Sequence, residues 1–176
     1  MTTILGIDPG SQVAGYGIIQ VHSNNIPVHK THGCIRLAKS MTFSEKLAQI
    51  YKELSHLIRD YQVNEIVIEK AFLGKNVDSA LKLGQVRGVC LLVAGQNNLP
   101  VYEYAPASIK KKVTGAGNAD KEHVRLVVLR QLGIQSEAAL DATDALAMAL
   151  CHSLEKIIQL KTNTLSSLAK NADFRN

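Results

Sequence analysis

Hydrophobic and polar positions follow two periodicities along the chain, and the changes between them predict its elements. Short apolar runs bounded by Gly, Pro or polar residues predict strands, while apolar residues that recur every three or four positions predict helices. The predicted strands are 3–9, 13–21, a strand within 26–38 with a turn at Gly33, 64–70 and 100–106. The predicted helices are 43–61, 77–96, 107–114, 121–132 and 140–160. Residues 161–176 are polar and aperiodic, which predicts a flexible tail after a single domain at 1–160.

The order of these elements predicts an α/β fold built on one mixed sheet. The first three strands follow one another through short connections, so we expect them to be antiparallel neighbours. Each of the last two strands follows a helix, and we expect both to run parallel to the first strand, with helices on both faces of the sheet. Gly15 and Gly17 predict a close backbone approach along the second strand. In such sheets, ligands bind beyond the carboxyl ends of the parallel strands.

Composition and charge narrow the class of protein. The chain of 176 residues is 46% apolar and 20% charged, which is typical of a globular domain and excludes a disordered or disulfide-dense one. No apolar run approaches the ~20 residues of a membrane span, and the N-terminus lacks the basic segment of a signal peptide. Cys34, Cys90 and Cys151 lie far apart, which favours reduced thiols in the cytoplasm over a zinc site or disulfides. A net charge of +5 permits a polyanionic partner without requiring one.

Four carboxylates stand at positions where one shared site can form. Asp8 and Glu69 end two apolar strands, and Asp141 and Asp144 begin an apolar helix with i, i+3 spacing. Taken singly, each has an ordinary explanation as a turn residue, a solvent-facing strand end or a helix cap. Taken together, they repel one another unless cations are present. Oxygen ligands of this density suit Mg²⁺ or Mn²⁺, and two such ions form a clamp that can break phosphodiester bonds.

The segments that carry these acids resemble the RuvC family, the bacterial Holliday junction resolvases. The resemblance spans roughly residues 3–155 and rests on four blocks in the family's order: ILGIDPGSQVAGYG, IVIEKAFLGKNVDSALKLGQVRG, VYEYAPASIKKKVTGAGNADK and DATDALAMALCH. It implies a ribonuclease-H-like fold and a homodimer that nicks two opposing strands of a four-way DNA junction with Mg²⁺. It also implies a partnership with the RuvA–RuvB branch-migration complex. By this resemblance, the metal-binding and catalytic acids are Asp8, Glu69, Asp141 and Asp144.

Basic residues cluster in two of these blocks. The resemblance implies that Lys110 and Lys121 are catalytic lysines near the acids, where an ammonium group can offset charge on the reacting phosphate. Phe72 is expected either to anchor its loop or, as the family suggests, to stack on a base at the junction centre. Gln12 and Ala14 depart from the Arg and Thr common in the family, which puts a backbone contact from position 12 in doubt. The expected DNA-binding residues are Phe72, Lys75, Asn76, Arg87, Lys110, Lys111, Lys112 and Lys121.

Two other functions are compatible with parts of this pattern. An actin-like or sugar-kinase ATPase also has an Asp-x-Gly after its first strand, but it needs a second phosphate loop and subdomain that we do not find. A nucleic-acid-binding module without activity would be expected to lack at least one acid, and all four stand here. We therefore predict a Mg²⁺-dependent, structure-selective endonuclease that leaves 5′-phosphate and 3′-hydroxyl ends. The apolar helix at 77–96 is a candidate dimer contact.

Overall fold

The computed structural model describes residues 1–70, 76–135 and 138–173. The strands are β1 (Thr2–Asp8), β2 (Val13–Val21), β3 (Pro27–Arg36), β4 (Glu65–Glu69) and β5 (Val101–Tyr104). The helices are α1 (Phe43–Tyr61), α2 (Val77–Gln96), α3 (Pro106–Thr114), α4 (Lys121–Gln131) and α5 (Leu140–Asp173). In this part of the chain, no helix is long and apolar enough to cross a lipid bilayer.

The five strands form one sheet in the order β3-β2-β1-β4-β5. Strands β1, β2 and β3 pair antiparallel, whereas β4 runs parallel to β1 and β5 runs parallel to β4. This topology confirms the predicted ribonuclease-H-like mixed sheet. Because β1 and β4 are parallel neighbours, their carboxyl ends lie at the same edge of the sheet.

Helices cover both faces of the sheet because the strands alternate apolar residues between the two sides. On β1, Leu5 and Ile7 face a core that includes residues of α1 and α2. Ile4 faces a second core formed with α3, α4 and α5. All three side chains are at most 1% exposed, and burying each stabilises the fold by about 1.5–3 kcal/mol.

Helix α1 begins and ends at the predicted residues because its sequence carries both boundary signals. Thr42 and Glu45 form a reciprocal capping box at its N-terminus, and Gln62 adopts a left-handed conformation (φ 51°) at its C-terminus. Ile50 and Leu54 are four residues apart and both fully buried, so one stripe of the helix faces the sheet. Helix α2 also matches its predicted bounds, with Asn76 as its N-cap.

Helix α5 lies directly on the sheet because two glycines leave room for its backbone. A Cβ atom at Gly6 would stand 2.0 Å from the carbonyl oxygen of Ala145, and one at Gly15 would stand 2.0 Å from that of Asp141. The close approach predicted at Gly15 and Gly17 is therefore present, but the helix makes it rather than a neighbouring strand. This contact fixes the first turn of α5 above the end of β1 and the start of β2.

Two predicted features of the backbone are wrong. Gly33 does not form a turn but pairs with Tyr16 inside β3, and the Tyr16 ring occupies the space of the missing side chain. Helix α5 does not end at 160 but continues to Asp173. Residues 161–173 contain no Gly or Pro, so nothing in the backbone interrupts the helical hydrogen bonds. The division into a domain at 1–160 and a tail remains a prediction.

Candidate active site

Two acids from neighbouring strands lie side by side at the carboxyl edge of the sheet. Asp8 is the last residue of β1 and Glu69 the last of β4. Each directly follows a member of the parallel pair Ile7–Ile68, so the sheet register fixes their separation along the edge. Both side chains are partly buried. The predicted placement of two carboxylates at one edge is confirmed.

The first turn of α5 brings two further acids to this edge. Asp141 is held there through its backbone, which packs on Gly15, and Asp144 follows one turn later. Asp144 lines the same cavity of about 270 Å³ as Asp8 and Glu69, whereas Asp141 lies outside that lining. All four acids are close enough for Asp8 to be affected by the charge of the other three.

Two lysines complete the wall of this cavity, which we call the acidic cavity. Lys110 reaches it from α3 and Lys121 from the start of α4. Lys121 Nζ donates to Asp144 Oδ2 at 3.1 Å, and its side chain is 70% exposed. The two lysines predicted to be catalytic therefore lie where the acids are.

Burial and uncompensated negative charge both disfavour ionised carboxylates in the acidic cavity. The pKa of Asp8 is raised from 3.8 to about 7, first by burial and then by the charges of Asp144, Glu69 and Asp141, while the charge of Lys121 lowers it. Burial and the charge of Asp144 also raise the pKa of Glu69. One lysine ion pair is thus too little to balance four carboxylates.

These residues fit divalent metal ions in their donor chemistry. The cavity offers carboxylate oxygens, which Mg²⁺ and Mn²⁺ prefer, and a raised carboxyl pKa shows that added positive charge would be favourable there. Within 1–70, 76–135 and 138–173, no three Asp, Glu, His or Cys side chains already form a group that could hold an ion. Asp144 is instead bound to Lys121. Metal binding would therefore require side-chain rearrangement within the cavity.

The residues expected to contact DNA occupy different surroundings. Lys111 is exposed, whereas Lys112 forms an ion pair with Glu155 on α5. Asn76 accepts a hydrogen bond from the backbone of Ser79 as the N-cap of α2. Phe72 and Lys75 lie outside the described residues.

Arg87 has a positioning role that the sequence did not indicate. Its Nη1 donates to the backbone carbonyl oxygen of Glu69 at 2.6 Å, and its Nη2 pairs with Glu103 on β5. The side chain is only 12% exposed. Arg87 therefore holds the end of β4, and with it Glu69, against the neighbouring strand β5.

A second polar cluster, buried between α5 and the sheet, was also missed. His152 Nε2 donates to Glu65 Oε2 at 2.8 Å, and Lys156 pairs with the other oxygen of the same carboxylate. The Tyr104 hydroxyl donates to His152 Nδ1 at 2.7 Å, since burial raises the pKa of the phenol and keeps it protonated. We call these four residues the buried cluster. The only signal in the sequence was a Glu at the start of an apolar strand.

Sequence comparisons show which known proteins this chain is similar to. The family model described as crossover junction endodeoxyribonuclease RuvC matches residues 4–152. The chain is 47% identical over 152 residues to the protein of that name from Chromohalobacter salexigens, covering 86% of this chain and 81% of that protein. It is 43% identical over 164 residues to the one from Halorhodospira halophila, covering 93% and 97%.

Solved structures give the same result for the fold. The structure of T. thermophilus RuvC in complex with a Holliday junction substrate matches with a TM-score of 0.84 and 26% identity, over 90% of this chain and 97% of that one. The yeast mitochondrial Holliday junction resolvase matches with a TM-score of 0.62 and 12% identity, over 93% and 86%, which shows a shared fold alone. The family model covers most of the sheet and all four acids. The chain therefore belongs to the RuvC family of crossover junction endodeoxyribonucleases.

Proposed function

We propose that the protein is a metal-dependent nuclease that resolves Holliday junctions by paired nicks. One observation carries the proposal: Asp8, Glu69 and Asp144 share one cavity with Lys110 and Lys121 at the carboxyl edge of the sheet. A cluster of carboxylates with too few cations is expected at a functional site, because it is unfavourable for folding alone. The family relatives, which carry the name crossover junction endodeoxyribonuclease, supply the substrate class.

Each side chain has a role in this reaction. Asp8, Glu69 and Asp144 would hold two Mg²⁺ ions, or Mn²⁺ in their place, with Asp141 joining them after a side-chain rearrangement. When bound, these ions activate a water molecule and stabilise the leaving oxygen. The hydrogen bond to Asp144 raises the pKa of Lys121, so its ammonium group stays charged and can stabilise negative charge on the phosphate. We propose that cleavage leaves 5′-phosphate and 3′-hydroxyl ends.

We propose that the active form is a homodimer that meets through α2. Two opposed cuts need two active sites related by a two-fold axis. Six exposed residues of α2 follow a regular spacing of four and three positions, which is the spacing of a helix-packing seam. Three are glycines, at which an added Cβ would meet nothing within 4 Å, so a partner helix could approach closely. The seam consists of Val77, Leu81, Gly84, Gly88, Leu91 and Gly95.

The setting of the reaction follows from the proposed substrate. We propose that the dimer acts with the RuvA–RuvB branch-migration complex, which would present the junction, in the cytoplasm. The three cysteines support a reducing compartment, since none of them forms a disulfide: Cys34, Cys90 and Cys151.

Cleavage of a synthetic four-way junction and of a linear duplex of the same sequence tests the activity. We expect symmetric nicks in the junction when Mg²⁺ is present, little cleavage of the duplex, and products that a DNA ligase reseals. Chelation of the metal should stop cleavage and leave junction binding in place. Junction binding without cleavage at any Mg²⁺ or Mn²⁺ concentration would instead indicate a binding module, and ATP hydrolysis would indicate the kinase-like alternative.

The dimer is tested by placing a charge in the seam. Leu81→Glu should give monomers in sedimentation experiments and should leave junctions nicked on one strand. Leu126→Glu is the matched control, because Leu126 is similarly exposed (60% against 64%) but lies on α4. Mixed dimers with one Asp8→Asn subunit should also nick a single strand. Paired cleavage by a monomeric Leu81→Glu protein would contradict the proposed dimer.

A further inference from the structure

A second cavity lies beside the loop that connects β1 to β2. It has a volume of about 240 Å³ and is lined by Ser11, Gln12, Met41, Phe43, Lys46 and Lys82. We call it the flanking cavity. Nothing in the proposed cleavage chemistry uses these residues.

A hollow of about 280 Å³ adjoins the acidic cavity. Its lining includes Asp8, Glu69, Pro9 of the β1–β2 loop and Leu83 of α2. Asp8 and Glu69 also line the acidic cavity. In the chain, Pro9 is two positions before Ser11 and Leu83 directly follows Lys82, and both Ser11 and Lys82 line the flanking cavity. The same two segments, the β1–β2 loop and α2, therefore contribute to the hollow beside the acids and to the flanking cavity.

Positive charge in the flanking cavity comes from two different helices. Lys82 on α2 is paired with Asp78, with Nζ 2.6 Å from Oδ2. Lys46 on α1 makes no side-chain hydrogen bond or ion pair with any residue of the described ranges. The nearby Glu45 carboxylate accepts hydrogen bonds from Thr42, so it caps α1 and does not line this cavity. Lys46 is thus a cation available for an anionic ligand.

The remaining lining residues can contact the phosphate oxygens and the sugar of a nucleotide. The Ser11 hydroxyl and the Gln12 amide can donate hydrogen bonds, and within the described residues neither side chain has a partner. Met41 and Phe43 offer apolar surface on which a deoxyribose can pack. The cavity therefore combines cations, neutral donors and apolar contact, as protein surfaces that bind the DNA backbone do.

We propose that the flanking cavity binds a backbone phosphate of the DNA strand whose scissile phosphate lies at the acidic cavity. This inference rests on the proposed function, since it assumes that a DNA strand passes over the acids. The four carboxylates repel that strand. Lys110 and Lys121 offset the repulsion at the acidic cavity, and Lys70 and Arg87 line the hollow beside it. Lys46, the cation without a partner among the described residues, holds the strand at the flanking cavity. This contact fixes the position of the scissile phosphate along the strand.

Single uncharged methylphosphonates in the junction test this assignment. They are placed one at a time on both sides of the scissile phosphate, and binding is measured by fluorescence anisotropy in metal-free buffer. In the wild type, one position on one side should weaken binding roughly twofold to fivefold, as expected for an exposed ion pair. Lys46→Ala should weaken binding of unmodified DNA by a similar factor and should show no further loss at that one position. The salt dependence of its binding should fall by about one counterion.

Matched variants separate this site from general charge effects. Lys46→Arg should restore the wild-type response, and Lys52→Ala removes a lysine from an exposed site on the same helix, 240° around its axis. Lys52→Ala should leave the methylphosphonate response unchanged. Equal losses for wild type and Lys46→Ala at every position, with junction preference intact, would overturn the flanking site alone. A wild type that binds junctions no better than duplex would overturn both this inference and the proposed function.

Discussion

Strand β4 carries a glutamate at each end, and the two glutamates have opposite surroundings. Glu65, at the start, is 9% exposed and belongs to the buried cluster, where His152 and Lys156 bind both of its carboxylate oxygens. Glu69, at the end, lines the acidic cavity and accepts no side-chain hydrogen bond from a described residue. Burial and the charge of Asp144 raise its pKa.

The difference separates a carboxylate that folding explains from one that folding does not explain. A charge as buried as that of Glu65 is stable only when it is paired, and removing one partner of such a group is strongly destabilising. The carboxylate of Glu69 costs stability in its present surroundings, as the proposed metal-binding role would lead us to expect. The two glutamates lie four residues apart on the same short strand, so chain position and residue type alone do not separate them.

The largest expected effects come from neutralising the two glutamates in parallel. Glu69→Gln should reduce junction cleavage by at least about 1,000-fold, because a metal-binding charge supplies several kcal/mol of transition-state stabilisation. It should leave junction affinity and the melting temperature unchanged or slightly higher, since a repulsive charge is lost. Glu65→Gln should do the reverse: cleavage by the folded protein persists, while stability falls by about 1–3 kcal/mol. Cleavage assays and thermal melts of both variants provide the measurement.

The other acids extend this comparison. Asp8→Asn, Asp141→Asn and Asp144→Asn should each abolish cleavage and retain junction binding. Asp141→Asn is the most informative, because Asp141 lies outside the lining of the acidic cavity. Wild-type cleavage by Asp141→Asn would limit the metal-binding set to three carboxylates.

Much of this site follows from the sequence because it depends on topology. Apolar periodicity predicts two parallel strands and a helix, and parallel strands necessarily bring Asp8 and Glu69 to the same edge. The bounds of α1 were predictable because its caps and its apolar stripe are local signals. Elements and boundaries that depend on residues close together in the chain could thus be predicted from the sequence.

Features that depend on distant contacts could not be predicted in the same way. Gly33 has the composition of a turn, and only the position of the Tyr16 ring shows why a glycine stands within a strand. Lys112 pairs with Glu155, 43 positions later, and looks like any other lysine of its cluster in the sequence. The link between His152 and Glu65 spans 87 positions. No periodicity or motif indicates such pairs, because they arise when α5 packs on the sheet.

The pH dependence of stability should differ in sign between the two clusters when metal is absent. Asp8 has a pKa of about 7 in the folded protein, against 3.8 for the unfolded chain. Its protonated carboxyl therefore favours the folded state at low pH, and this contribution is lost as the pH rises from 3.8 to about 7. Burial lowers the pKa of His152 below 6.5, so its contribution is present at higher pH and is lost as the pH falls below 6.5.

Difference melts in chelator separate these two contributions. The melting temperature of Asp8→Asn relative to wild type should rise by several degrees between pH 4 and pH 8. The deficit of His152→Gln should instead shrink as the pH falls from 7 towards 5. If the melting-temperature differences of both variants changed with pH in the same direction, the distinction between the acidic cavity and the buried cluster would be contradicted.

Lys121 and Lys112 differ in the same way as the two glutamates, and the expected effects of replacing them are smaller. Lys121 pairs with Asp144 at the acidic cavity, whereas Lys112 pairs with Glu155, away from the cavity lining. Lys121→Ala should lower the turnover of junction cleavage by about 100-fold, as expected when one donor to a developing charge is removed, with a smaller effect on affinity. Lys112→Ala should leave single-turnover cleavage near wild type. A Lys121→Ala protein that loses only affinity would remove Lys121 from the catalytic residues.

The smallest expected effect separates Lys112 from its neighbour in the chain. Lys111 is exposed and has no ion-pair partner among the described residues, while the side chain of Lys112 is 29% exposed and held by Glu155. If Lys111 contacts a backbone phosphate, Lys111→Ala should reduce the salt dependence of junction binding by about one counterion. Lys112→Ala should reduce it by less, because Glu155 already neutralises the ammonium group in the free protein. Titrations between low and moderate salt measure both slopes, and equal slopes would mean that Lys112 leaves Glu155 to bind DNA.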